Sequence, residues 1–131
     1  MSETVANKSA IEKFVRKSLG CTCPNEVFNF IRIEHNPVAF GNLQQGYLLT
    51  IGGVLLVYVV ETHNWESVTS HLEQIFMRGR EMRDTGEFNR FRLVVVTSDI
   101  QPAQQVLLRQ FDVLDDRLHL HVIEREQLPK L

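Results

Sequence analysis

Apolar residues recur at helical spacing near the start of the chain: Ile11, Phe14, Val15 and Leu19 share one side, while Glu12, Lys13, Arg16 and Lys17 take the other. This spacing predicts a helix over residues 5–19. Gly20 supplies its stop, because glycine enters the left-handed conformation without a Cβ clash. Val27, Phe28 and Ile31 predict a second, short helix beginning after Cys23, with Pro24 at its first position, where the missing N–H has no partner to lose. Ile31, Arg32, Ile33 and Glu34 then alternate as a strand does, and Asn36-Pro37 ends it.

The middle of the chain reads as a hairpin. Residues 47–51 and 54–61 flank Gly52-Gly53, a pair that tolerates the positive φ of a two-residue turn. The second arm, 54–60, is apolar on both faces, which marks a central strand covered above and below. A long amphipathic helix follows Asn64, with Trp65, Val68, Leu72, Ile75, Phe76 and Met82 facing inward, and Asp84-Thr85-Gly86 closes it. Residues 91–97 predict a strand, 102–111 a helix, 118–124 a last strand and 126–128 a short helical end. From Val54 onward the order is strand, helix, strand, helix, strand, and right-handed crossovers make those three strands parallel. The first hairpin arm lies antiparallel beside them. The expected fold is α/β: a single domain over residues 1–131 with a mixed sheet of four or five strands, an antiparallel hairpin joined to a parallel βαβαβ unit, flanked by helices.

Composition narrows the class more than the function. A 131-residue chain with 44% hydrophobic and 23% charged residues can bury a core without disulfide or metal staples. Its formal net charge of −2 gives no overall drive toward nucleic acid or an anionic membrane. Residues 1–8 have no apolar stretch of a secretory signal, and the longest apolar run, 54–60, is far short of a membrane span. Two cysteines one residue apart exclude a disulfide framework, and a reducing, cytoplasmic location is expected.

Cys21-Thr22-Cys23-Pro24 is the one chemically pointed feature. With Cys23 as N-cap, Glu26 is the third helical residue, a capping box with cysteine in the usual place of serine. The helix start, together with Arg16 and Lys17, favours a thiolate, and Glu26 opposes it. Two cysteines this close form a small strained ring that is easily reduced, as labile and catalytic disulfides are. The pattern points to thiol–disulfide exchange or redox sensing through Cys21 and Cys23, one attacking and the other resolving. The plainer reading is a tight interhelical turn holding two small buried thiols.

Other groupings are weaker. His119 and His121 alternate with Leu118, Leu120 and Val122 and so share a face of the last strand. They are weak candidates for a zinc or copper site, since two ligands are not four; the plainer reading is an edge strand with one wet face. His63 and His71 lie too far apart to hold one metal, and His35 reads as a solvated loop residue. Ligands in open sheets sit beyond the carboxyl ends of parallel strands. That rim carries Glu61-Thr62-His63, Thr97-Ser98-Asp99 and Glu124-Arg125, making Glu61, His63 and Asp99 candidates for acid–base chemistry. The plainer reading makes Ser98 or Asp99 the cap of the helix carrying Pro102, and Asn64 the cap of the long one. Arg78, Arg80, Arg83, Arg90 and Arg92 read as a solvated face first and an anion or nucleic-acid patch second. No glycine loop for phosphate appears, so no cofactor is expected. An open sheet edge could pair with another copy or a protein partner.

The element order of helix, three strands, helix, strand, helix, strand resembles the restriction-endonuclease-like fold, and residues 91–128 look like its closing βαβ unit. That resemblance implies an acidic residue after the hairpin's first strand and Glu/Asp-x-Lys on its second. Here 47–51 has no carboxylate, and Glu61 is followed by His63 where lysine would stand. The resemblance therefore implies a non-catalytic relative, an interaction or regulatory module. Leu19-Gly20-Cys21-Thr22-Cys23-Pro24 is also similar to a segment of small uncharacterised prokaryotic proteins, which implies no activity.

Overall fold

The structure, a computed structural model, describes residues 2–4, 8–20, 25–35, 46–62, 65–86, 88–110 and 118–128. Helix α1 spans Lys8–Lys17. Residues 5–7 of the predicted span lie outside the described residues, and a strand, β1 (Ser2–Thr4), comes before it. Ser-Glu-Thr has no alternation of its own. It is a strand because it pairs antiparallel with the next strand, Glu3 opposite Ile33.

The expected second helix is a 3₁₀ turn at Asn25–Asn29. Ile31 belongs instead to β2 (Ile31–His35), which leaves too little chain for more than a tight turn. The proposed cap Cys23 and Pro24 lie outside the described residues. His35, expected in a loop, is the last residue of β2.

Strands β2, β3 (Gly46–Ile51) and β4 (Leu55–Glu61) form an antiparallel meander. Gly52 and Gly53 turn the hairpin with φ of 61° and 70°. The Val54 N–H closes on the Ile51 carbonyl at 3.1 Å, so two consecutive left-handed residues make the turn the sequence pair predicts. Helix α2 (Trp65–Thr85), strand β5 (Arg90–Val96), helix α3 (Ile100–Gln110), strand β6 (Leu118–Ile123) and a 3₁₀ turn at Arg125–Gln127 follow. β4, β5 and β6 are parallel, as the crossovers require. The sheet runs β1-β2-β3-β4-β5-β6, six strands, exceeding the expected five through β1.

Each face of the sheet carries a core. On one, α2 and α3 cover Leu56, Tyr58 and Val60 of β4, Phe91, Leu93 and Val95 of β5, and Leu120 and Val122 of β6. On the other, α1 and the first 3₁₀ turn cover Ile31, Ile33, Leu49, Ile51, Val57, Val59, Val94, Val96 and Ile123. β4 and β5 are therefore apolar on both faces, because both are central and covered twice. Among the described residues, no helix is long and apolar enough to cross a membrane.

Candidate functional site

Cys21 and Cys23, with Thr22 and Pro24, lie outside the described residues, as does His63. The chain on either side of the cysteine segment is described, and an arginine holds each flank. Before it, the backbone carbonyl of Leu19 accepts a hydrogen bond from Arg92 Nη1 at 2.8 Å, across 73 residues of sequence. After it, Asn25 Oδ1 accepts from Arg16 Nη2 at 2.9 Å. Arg16 also donates through Nε to Glu12 at 3.1 Å and lies over the Phe28 ring, 4.9 Å from its centre. One turn of α1 separates Glu12 from Arg16, so the helix itself fixes that pair.

Arg92 is 5% exposed. The reading of the arginine group as a solvated face holds for Arg78, Arg80 and Arg90, which are exposed, and fails for Arg83 and Arg92. Arg83 falls on the inward side of α2, with Asp84 at 3.0 Å. Arg92 alternates with Phe91 and Leu93 onto the α1 face, where its guanidinium meets the end of α1. His121 lies beside it, Nε2 to Nη1 2.9 Å. A guanidinium only donates, so Nε2 accepts, and the proton of this neutral imidazole sits on Nδ1. Burial first, then the positive charge of Arg92 and the neighbouring His119, pushes the His121 pKa down to about 4. Burial, with Arg90 adding to it, lowers that of Arg92. The histidine face of β6 is thus half-buried against an arginine rather than simply wet. His121 Nε2 is committed to Arg92 and not offered to a metal. Among the described residues, no three His, Cys, Asp or Glu side chains gather into a metal-binding group.

At the carboxyl ends of the parallel strands the structure assembles a second cluster on the same face. Glu61 ends β4, and its carboxylate meets Arg125 Nη1 at 2.5 Å, across 64 residues. Tyr47 donates its hydroxyl to Glu61; burial, and then the Glu61 charge, raises its pKa. The His35 ring stands edge-on to Tyr47 with centroids 4.9 Å apart. Asp99 is exposed and sits just before α3: its carbonyl accepts from the Ala103 N–H at 3.1 Å, and its own N–H donates to Thr97 Oγ1 at 3.2 Å. This is the capping position that the plainer reading assigned. Among the described residues the hydrogen bonds tie Glu61 to Tyr47 and Arg125, not to Asp99.

The sequence reading puts Arg92 on a solvated face and passes over Tyr47 as a site residue. A single arginine inside Phe91-Arg92-Leu93-Val94 is the signal for the first, since a cation within an apolar strand must find a buried acceptor. The second depends on register: Tyr47 pairs with Val59, which puts Glu61 diagonally beside it on one face. No protein-family model matches the chain, and no curated protein or solved structure matches it significantly.

Proposed function

We propose that the chain acts through Cys21 and Cys23 in thiol–disulfide exchange or redox sensing. The observation that carries this reading is the buried guanidinium of Arg92 on the Leu19 carbonyl, two residues of chain before Cys21. A permanent cation near a thiol favours the thiolate, the form that attacks. Arg16 adds positive charge on the other flank, moderated by Glu12. The helix-start contribution is small, since the turn after the segment is a five-residue 3₁₀ turn and not a long α-helix.

In exchange, the thiolate of one cysteine attacks a substrate disulfide, forms a mixed disulfide and expels the substrate's other sulfur as thiolate. The second cysteine, deprotonated, then attacks the mixed disulfide and releases the reduced substrate. The electron pair ends on the substrate as two thiols, and Cys21 and Cys23 are left joined. The test is the rate of iodoacetamide alkylation of each cysteine against pH, on reduced, metal-stripped protein. A thiol titrating well below the free value of about 8.5 supports the reading. Two thiols that react only when the protein unfolds overturn it.

A second reading is a non-catalytic interaction module with a degenerate restriction-endonuclease-like core. It is supported by the run from α1 through the β2–β4 meander to β6, and by Glu61 being bound to Tyr47 and Arg125. This reading expects both sulfurs buried and silent to alkylation, so the same measurement separates the two.

A further inference from the structure

Arg92 carries a full positive charge at 5% exposure, on the apolar α1 face of the sheet. A guanidinium does not give up its proton inside a protein, so burial cannot be relieved by neutralisation. Buried charges are therefore paired with an opposite one. Among the described residues, Arg92 has no carboxylate partner: its bonds go to the Leu19 carbonyl and to the neutral His121 imidazole, both from Nη1. Burial and then Arg90 act on its charge, and both oppose it. The carbonyl end of α1 offsets only about half a unit charge. The other side of the group is unused. Buried Nε has no hydrogen-bond partner, and no described residue accepts from Nη2. These two N–H groups project in parallel from one edge of the guanidinium, the edge that grips a carboxylate through two bonds.

We propose that the Nε–Nη2 edge of Arg92 binds a small carboxylate monoanion at the junction of α1, β5 and β6. Charge and shape select this class. One uncompensated cation calls for one negative charge, and a dianion would set a second beside the negative end of α1. A planar carboxylate matches both donors of the fork, whereas chloride offers a single point of contact. Tetrahedral phosphate needs more room than a side chain with 5% of its surface open provides. The bonds from Nη1 to Leu19 and His121 stay in place, so they hold the guanidinium plane and present its free edge to the ligand. The proposal does not depend on the cysteines.

Formate is the probe. Titrated into isotope-labelled full chain at neutral pH and constant ionic strength, it should move the Arg92 Nε–H resonance along a saturable curve. Chloride and phosphate in its place should not. Formate should also raise the urea midpoint saturably, because a ligand held by the folded state alone adds stability. Arg92→Lys, which keeps the charge but loses the planar fork, should weaken formate binding by about tenfold. Arg92→Met should abolish it. His121→Gln, which leaves Nε and Nη2 untouched, should bind formate as the wild type does. Circular dichroism shows whether each variant is folded; where Arg92→Met is not, Arg92→Lys decides. An Arg92 resonance that formate leaves unmoved, an equal response to chloride or phosphate, or unweakened binding in Arg92→Lys would each overturn the proposal.

Discussion

Arg92 donates from one nitrogen to two acceptors, the Leu19 carbonyl and His121 Nε2, inside a face that is otherwise apolar. Removing the guanidinium leaves both acceptors without their donor. Arg92→Met should therefore cost about 1–3 kcal/mol in urea unfolding. Arg92→Lys, which keeps the charge but not the planar fork, should fall between the two. If the thiol reading holds, Arg92→Met also moves cysteine alkylation to higher pH, and Arg92→Lys does not. His121 supplies a pH dependence with a definite sign. Its folded pKa of about 4 lies below the ordinary value of 6.5, so the unfolded chain binds the proton more readily. Stability from this group is full above pH 6.5 and falls as pH drops toward 4, by on the order of 3 kcal/mol in total. Denaturant melts between these limits should show a steeper fall in wild type than in His121→Gln, which accepts the same bond without titrating. Cys21 and Cys23 are read from a local motif that lies outside the described residues, and their role is a proposal. The Arg92–His121 contact was not legible in the sequence, because it exists only once β5 and β6 are parallel with Arg92 opposite His119.

The β3–β4 hairpin shows what was legible at the scale of elements. Two consecutive glycines announced a turn that needs positive φ twice, and the seven-residue apolar run beside them announced a strand covered on both sides. The two glycines are not equivalent. A Cβ on Gly53 would meet open space, whereas one on Gly52 would lie 2.6 Å from the Val27 carbonyl oxygen. Gly53→Ala should cost about 1–2 kcal/mol, the strain of a left-handed alanine. Gly53→Asn should cost less, since asparagine enters that region more readily. Either substitution at Gly52 should cost clearly more, because the backbone around Val27 must also move; paired urea melts compare the two sites. What the pattern could not announce was β1, whose three polar residues become a strand only through pairing with β2. The helix expected after Cys23 failed for a related reason: Ile31 fits a helical period and a strand equally well, and pairing with Ile51 decides for the strand.

For the whole molecule, the two cores share their strands. Leu56, Tyr58 and Val60 face α2 and α3, while Val57 and Val59, alternating with them on the same strand, face α1. A loss of packing on one face therefore loosens the backbone on which the other face rests, and the two layers should unfold together. Trp65, the single tryptophan, packs against the α2 and α3 core and reports that face alone. Ile11 is fully buried on the opposite face, under α1. Ile11→Ala should cost about 2–5 kcal/mol, from lost transfer energy plus the cavity left behind. The distinctive outcome lies in where the loss is seen. If the sheet couples its faces, the Trp65 fluorescence midpoint moves down by as much as the far-ultraviolet circular dichroism midpoint, although Trp65 touches nothing that was changed. If fluorescence keeps its wild-type midpoint while circular dichroism drops, the α1 layer melts separately, and β4 and β5 hold the other core without it. Coupling is the expected result, because neither β4 nor β5 has a solvent-facing side on which it could stand once one layer has left.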